Sequence, residues 1–535
     1  MVNSQSILIV DDSVIIQQTT KLILLKAKFE AQRIYFASNA QDAIKLCQRN
    51  VFDIIFIDFN LGIGSTGLQL LERIHHNQLI THHPLIFIVT ADDSESILMG
   101  FSEYQPTDYL IKPFRLETLT TRINVHFNKH KFEDSVFNTY QSKGWLGVQE
   151  FIENYSSCDK YWSSVTTLAK RLLLNKVMES YGDIEVMLNS LLQQNDYVPA
   201  KLLLAQLWLE QDKFDKLTPL LSSINSSSPQ QHLTLLDLKA RSALKQNRIS
   251  IGYEFWLAAH KVSRNNLYRL FGLIWIEFCL QHDTEIERHI REACFSLRFS
   301  IWDKPQYYAF LVWIQLQQHN KKNKSVEKLW GSINQQQKLT KHERAYVYLL
   351  KAYQATENNS TLIAYREFMN ALNYTEHHEN NVLPSEFLIV ALSIAIKLSM
   401  HSYIMKFVQK LTEILNLQPN DPHNVIKKMW LKAQTAKINE NKCAEYNYAL
   451  QLVKQKQFAT AGKLLITLWP LYRFDITLAR CIVELFARGY LNLYDAEKNT
   501  IIEARWVFES QDIKPEWYKT LKNKHTALNK PLSFY

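Results

Sequence analysis

Ile7-Leu8-Ile9-Val10-Asp11-Asp12 and Ile54-Ile55-Phe56-Ile57-Asp58 decide the fold of the N-terminal quarter of this 535-residue chain. Each is a short, β-branched apolar run that stops on a carboxylate. A strand with no polar face is covered on both sides, as in a parallel sheet between two layers of helices. Working outward, similar runs recur at Ile34–Ala37, Leu85–Val89 and Tyr109–Ile111. Between them, apolar residues at spacings of three and four predict helices over Val14–Leu25, Ala40–Cys47, Leu68–Ile74, Ile97–Phe101 and Leu116–Phe127. Five βα units in residues 1–130 predict an α/β domain built on a parallel sheet.

In such sheets ligands bind at the carboxyl ends of the strands. Polar residues gather there. Asp11 and Asp12 follow the first strand, Asp58 ends the third, Thr90 ends the fourth, and Lys112-Pro113 ends the fifth. Three carboxylates at one sheet edge repel one another unless a cation joins them. All-oxygen ligation with room for water suits Mg²⁺. An ammonium and a hydroxyl added to that set make a site for a phosphoryl group on one carboxylate, with Asp58 as the nucleophile.

The ordered set Asp11-Asp12, Asp58, Thr90-Ala91, Tyr109 and Lys112-Pro113-Phe114 resembles the receiver domain of two-component response regulators. The resemblance covers about a quarter of the chain and implies a flavodoxin-like (βα)5 fold. It implies that Asp58 is the phosphoacceptor, and that Asp11, Asp12 and Asp58 hold Mg²⁺ with the backbone carbonyl of Asn60. It makes Thr90 and Tyr109 the switch pair, pairs Lys112 with the phosphate, and places a cis peptide before Pro113. The loop Asn60-Leu61-Gly62-Ile63-Gly64-Ser65-Thr66-Gly67 departs from the family. Gly62 stands where a proline is usual, and Gly67 comes one residue later than the family's glycine. The departure bears on the lifetime of the phosphorylated state. The pairs His75-His76 and His82-His83 fall away from the acidic edge and read as solvated surface rather than metal ligands.

The remaining 405 residues differ in composition. Residues 1–130 carry a net charge of −2, and residues 131–535 carry +11. All 12 tryptophans follow residue 130. That stretch holds only 8 Gly and 10 Pro, too few turn formers for a β-rich fold of its size, so it reads as all-α. The boundary falls between 128 and 145, where Asn128-Lys129-His130-Lys131-Phe132-Glu133-Asp134 breaks the apolar pattern. The expected organisation is residues 1–130, a linker or first helix over 131–150, and a helical array over 151–535.

Within the array a pattern recurs: a small residue, a second position twelve later, a bulky residue four further on, and another apolar or small residue after three. The copies are Ala240, Gly252, Trp256, Ala259; then Ala352, Ala364, Phe368, Ala371; then Ala449, Ala461, Leu465, Leu468; and, more weakly, Ala205, Leu217, Leu221, Ile224 with Pro229. Polar turns separate the first two positions: Gln211-Asp212-Lys213, Gln246-Asn247-Arg248, Glu357-Asn358-Asn359 and Lys454-Gln455-Lys456. Small residues let two antiparallel helices approach, and large ones fill the groove to the next pair. The pattern resembles the tetratricopeptide repeat, with 35 residues from Ala205 to Ala240. Degenerate units are expected at Leu270–Arg298, Tyr308–Ile333 and Phe387–Leu417. The expectation is an α-solenoid of seven to ten hairpins whose concave face binds a partner protein.

No apolar run reaches the length of a membrane span, and Met1–Gln5 lacks the cationic start of a signal peptide. Six scattered cysteines without a Cys-x-x-Cys pair argue against a disulfide framework and a structural zinc site, and fit a cytoplasmic protein with reduced thiols. The run Lys321-Lys322-Asn323-Lys324 reads as a solvated turn rather than a nucleic-acid patch. No catalytic constellation stands out in the array. The sequence therefore points to a bacterial-type response regulator with protein binding as its output, phosphorylated by a sensor histidine kinase or a histidine phosphotransfer protein. It is not expected to be an enzyme in its own right. The alternatives are a transcriptional or RNA-binding regulator using the basic array, and a scaffold whose receiver acts without phosphorylation.

Overall fold

The computed structural model describes residues 5–62, 64–77, 79–80, 84–91, 101, 104, 106–153, 158–174, 181–226, 228–318, 331, 340–375, 383–436, 440–492, 495–510 and 518. Two compact units are present: residues 1–276 with 295–303, and residues 277–294 with 304–535.

The first unit opens with five strands, β1 (Ile7–Val10), β2 (Ile34–Ala37), β3 (Ile54–Asp58), β4 (Leu85–Thr90) and β5 (Asp108–Ile111). They form one parallel sheet in the order β2-β1-β3-β4-β5. The register pairs Val10 with Ile57, and Asp58 with Val89. Alternation sends Ile7, Ile9, Ile54, Phe56 and Phe87 to one face, where they pack with Leu24 of α1 (Val14–Lys26) and with Leu119 and Ile123. Leu8, Val10, Ile55 and Ile57 pack on the other face against Ala43 of α2 (Ala40–Arg49) and Leu70 and Ile74 of α3 (Gly67–His76). The sheet is buried on both faces, so its strands needed to be apolar throughout. The helical pattern at Ile97–Phe101 lies outside the described residues except for Phe101, which is buried.

Leu119 and Ile123 belong to α4, a helix running from Leu116 to Glu153 with one non-helical residue, Gly144 at φ +65°. Residues 128–143 continue its helix without interruption. This segment carries no apolar stripe for the sheet, but (i, i+4) pairs lace its surface, Lys129 with Glu133 and His130 with Asp134.

From Cys158 to Glu509 the described residues form eighteen α-helices, one short 3-10 helix (Trp469–Leu471) and no strands. In the first unit these begin with α5 (Cys158–Leu174), α6 (Tyr181–Gln194), α7 (Val198–Glu210), α8 (Phe214–Ser223), α9 (Pro229–Lys245) and α10 (Ile249–Val262). The small and bulky positions of the recurring pattern are buried in all four copies, from Ala205 to Leu468. At the α9–α10 crossing a β-carbon on Gly252 would lie 2.7 Å from the Leu244 side chain and 3.4 Å from the Ala240 carbonyl. The polar turns share one geometry. Asp212, Asn247, Asn359 and Lys456 all take a left-handed φ, between +55° and +63°. In each turn the next N–H donates to a carbonyl five residues back: Lys213 to Trp208, Arg248 to Ala243, Ser360 to Ala355, and Gln457 to Leu452. This closes the helix by satisfying a carbonyl its last turn leaves open. Gln281, at φ +60°, repeats the turn with His282 donating to Glu277. Asp212, Asn247 and Gln281 are thus spaced at 35 and 34 residues.

The second unit has its own buried polar pairs. Glu277 and His289 are fully buried and joined at 2.8 Å. Lys427 donates to Glu386 at 2.6 Å. Asp475, fully buried, accepts from the N–H groups of Thr477, Leu478 and Ser402 and from the Tyr446 hydroxyl. No helix among the described residues is long and apolar enough to cross a membrane.

Candidate active site

The adjacency of β1 and β3 brings Asp11 and Asp58 together at the carboxyl edge of the sheet. Carboxylate oxygens of Asp11, Asp12 and Asp58 all lie within 4.8 Å of one another. Asp11 and Asp58 are buried, and Asp12 is exposed. Lys112, just past β5, reaches across the edge. Its ammonium lies 2.7 Å from Asp11 Oδ2 and 3.1 Å from Asp58 Oδ2. The Lys112 N–H donates to the Thr90 carbonyl at 2.8 Å, which ties the end of β5 to β4. The Lys112-Pro113 peptide is cis.

Burial raises the Asp58 carboxyl above its ordinary value, the neighbouring Lys112 opposes the rise, and Asp11 and Asp12 add to it. Three carboxylates and one ammonium leave the site two charges negative when ionised. That is the deficit a divalent cation fills, and the donors are all oxygens, as Mg²⁺ requires. Asn60 stands two residues beyond Asp58, and its side chain accepts from the Gly62 N–H at 3.3 Å.

Thr90 is buried at the end of β4. Tyr109 is half-buried on β5, where the register sets it against Ile88, two residues before Thr90 on the same strand. Its ring packs on the cluster that holds Ile88 and Phe101, and burial pushes its hydroxyl up to about 12. Thr90 and Tyr109 therefore stand on neighbouring strands beside the acidic edge.

Two supports were not singled out in the sequence. Gln17 of α1 is buried and donates to the Asp11 carbonyl at 2.6 Å and to Ala37 at 3.3 Å, which fixes the turn after β1. No apolar stripe marks this face of α1, whose buried residues are Gln17, Thr20 and Leu24, so the sequence carries little signal for it. Gly67 packs directly on the acceptor's backbone: a β-carbon there would lie 2.1 Å from the Asp58 carbonyl oxygen. The displaced glycine of this loop is thus the residue that lets α3 start against β3. His75 packs on Tyr104 with ring centres 5.9 Å apart, and His76 is exposed. His82, His83 and the run Lys321–Lys324 lie outside the described residues.

Residues 7–124 match the family model for the response regulator receiver domain. Over 150 residues the chain is 30% identical to the transcriptional regulatory protein YvrH of Bacillus subtilis, covering 28% of this chain and 56% of that protein. It is 26% identical over 133 residues to a probable cyclic di-GMP phosphodiesterase of Vibrio cholerae, covering 25% of this chain and 29% of that protein. It is 29% identical over 117 residues to the sensory transduction protein LytR of Staphylococcus epidermidis, covering 22% and 44%. The chain thus spans about half or less of these relatives' lengths. Among solved structures, the chemotaxis protein CheY4 of Vibrio cholerae is 26% identical, covering 23% of this chain and 97% of that one, with a TM-score of 0.21. The CheY-like receiver domain from Methanospirillum hungatei is 24% identical, covering 24% and 99%, with a TM-score of 0.22. The N-terminal part of this protein is a CheY-like receiver domain, and an all-helical region follows it.

Proposed function

We propose that this protein is a two-component response regulator that carries a phosphoryl group on Asp58 and acts through protein binding by its helical region. The observation that supports this best is the bridging of Asp11 and Asp58 by Lys112 within a cluster of three carboxylates. In this reading Asp11, Asp12, Asp58 and the Asn60 carbonyl hold Mg²⁺, which supplies positive charge to the phosphoryl oxygens when bound. An Asp58 carboxylate oxygen attacks phosphorus. The P–N bond of a phosphohistidine, or the P–O bond of an acyl phosphate, breaks, and the leaving group keeps the electron pair. Lys112 and the Thr90 hydroxyl take up charge on the equatorial oxygens. Thr90 then draws toward the phosphoryl group and the Tyr109 ring fills the space it leaves.

The donor is a sensor histidine kinase or a histidine phosphotransfer protein. Val14 and Ile15 begin α1 directly beside the acid pair and are 62% and 79% exposed. Apolar side chains in that position suit a docking helix. Residues 1–130 make the receiver, 131–150 the first helix of the connection, and 151–535 an array of TPR-like hairpins. The 35- and 34-residue spacing of the left-handed turns supports that last assignment. A groove of about 530 Å³ lined by α5, α7 and α9, with Leu202, Leu233 and Arg241 among its walls, is a place for the partner. The protein works in the cytoplasm.

Acetyl phosphate with Mg²⁺ should add one phosphoryl group, read by intact mass, and Asp58→Asn should abolish it. Labelling that persists in Asp58→Asn would refute the assignment. The names of YvrH and of similar regulators favour a second reading, in which the output is transcriptional. Salt-dependent binding of the full chain to DNA would establish it.

A further inference from the structure

We propose, resting on the reading of Asp58 above, that α3 is the receiver's output surface and that the turn at residues 298–303 of the same chain reads it.

The contact joins backbone groups of the turn to side chains of α3 and of the loop just before it, all within the first unit. Arg73 donates to the Phe299 carbonyl at 2.7 Å, and the Ser65 hydroxyl donates to the same carbonyl at 3.4 Å. Gln69 donates to the Arg298 carbonyl at 3.0 Å. In the other direction the Ile301 N–H donates to the Glu72 carboxylate at 3.5 Å. Burial raises the Glu72 carboxyl, while donation from Ile301, Tyr104 and Trp302 opposes the rise.

The turn itself is ordered from within. Phe299 donates to the Asp303 carboxylate at 2.8 Å, Trp302 donates to the Ser300 hydroxyl at 3.1 Å, and the Trp302 ring stacks on Phe271 at 5.3 Å. Phe299 takes a left-handed φ of +66°. A bulky residue holds that conformation only where its surroundings impose it. The carbonyl leaving this strained residue is the one that Arg73 and Ser65 grip.

The same helix is seated on the phosphoacceptor. Gly67, its first residue, packs on the Asp58 carbonyl and donates to the Phe59 carbonyl at 2.8 Å. Gly62, in the preceding loop, stands against the Asp12 carboxylate. A cation and a phosphoryl group arriving among Asp11, Asp12 and Asp58 change the charge beside both ends of this loop. Helix α3 is ten residues of rigid rod. A shift at Gly67 therefore reaches Gln69, Glu72 and Arg73 together, and changes the grip on a turn held in a strained conformation.

Amide hydrogen exchange of residues 297–303 in the full chain tests this. Beryllofluoride with Mg²⁺ serves as the phosphoryl mimic, and its ¹⁹F signal reports occupancy of the Asp58 site. In the wild type, saturation should change exchange of these amides by at least about threefold, the scale of a local opening equilibrium displaced by a fraction of a kcal/mol. In Arg73→Ala and Gln69→Ala, exchange should start faster and not respond, although the ¹⁹F signal shows the site filled. Arg73→Lys, which keeps a donor and the charge, should retain part of the response. A saturated wild-type site with unchanged exchange at 297–303 would overturn the inference and leave the phosphoacceptor reading intact. Absence of any bound beryllofluoride would overturn that reading, and this inference with it.

Discussion

The Lys112 ammonium stands 2.7 Å from Asp11, closer than to the acceptor Asp58 at 3.1 Å. Lys112 therefore already neutralises part of the acid cluster and competes with any second cation for the same oxygens. In Lys112→Ala, Mg²⁺ should bind on the order of tenfold more tightly, because one positive charge within hydrogen-bonding distance is removed from a half-buried site. Uptake of phosphoryl from acetyl phosphate should slow by at least about tenfold, since charge on the transferring group loses its fixed partner. Isothermal titration reads the first effect and intact mass the second. Unchanged Mg²⁺ affinity would mean that the bridge does not compete.

Gly67→Ala should destabilise the receiver by about 2 kcal/mol or more, because the methyl group meets a backbone carbonyl that cannot move aside. The receiver has no tryptophan, so far-UV circular dichroism in urea is the measurement. A variant as stable as the wild type would show that α3 can back away from β3.

Glu386 and Lys427 predict a pH dependence in the second unit. Burial pushes the Glu386 carboxyl up, but Lys427 and Ser385 outweigh it and hold it below the ordinary glutamate range. A carboxyl whose folded pKa lies below its unfolded value contributes stability that is complete above the unfolded value and is lost as pH falls through the folded one. Glu386→Gln should therefore flatten the acid limb of unfolding below the ordinary value of 4.5 and leave its slope at neutral pH unchanged. Lys427→Met strands a buried carboxylate and should cost about 3–5 kcal/mol, and adding Glu386→Leu should recover most of it. Equal stability of the single and double variants would contradict the pairing.

Asp475 holds four donors from three segments of the second unit. Asp475→Ala removes a helix cap and leaves buried N–H and O–H groups unpaired, a loss of about 3 kcal/mol. Asp475→Asn keeps one acceptor oxygen and should cost less. Thermal unfolding separates the two, and a reversed order would show that charge rather than hydrogen bonding matters at this position.

The sheet and the acidic edge were legible because strand period and strand-end chemistry are local. Asp11, Asp12, Asp58, Thr90 and Lys112 each sit within a residue or two of an apolar run whose end is visible in the sequence. Small residues such as Ala240 and Gly252 were legible because close helix approach admits little else. The connection was harder to read. Asn128–Asp134 holds a single apolar residue, so it reads as a break, yet Phe132 with Val136, Phe137 and Tyr140 packs on the core of the following helices and carries α4 through it. The contact between α3 and residues 298–303 left no local trace. Gln69, Glu72 and Arg73 are ordinary helix-surface residues, and their partners are backbone atoms about 230 positions away, which carry no side-chain signature.

Helix α4 has a consequence for how such a protein can be rebuilt or diversified. It starts under the sheet and runs on as far as Gly144 without a break, so the two parts of the first unit share one rod and no slack. Adding a single residue between 128 and 143 would rotate whatever follows by about 100°. Exchanging the receiver for another is therefore a matter of phase: grafts that preserve whole helical turns keep the register, and the rest fail irrespective of how well each half folds.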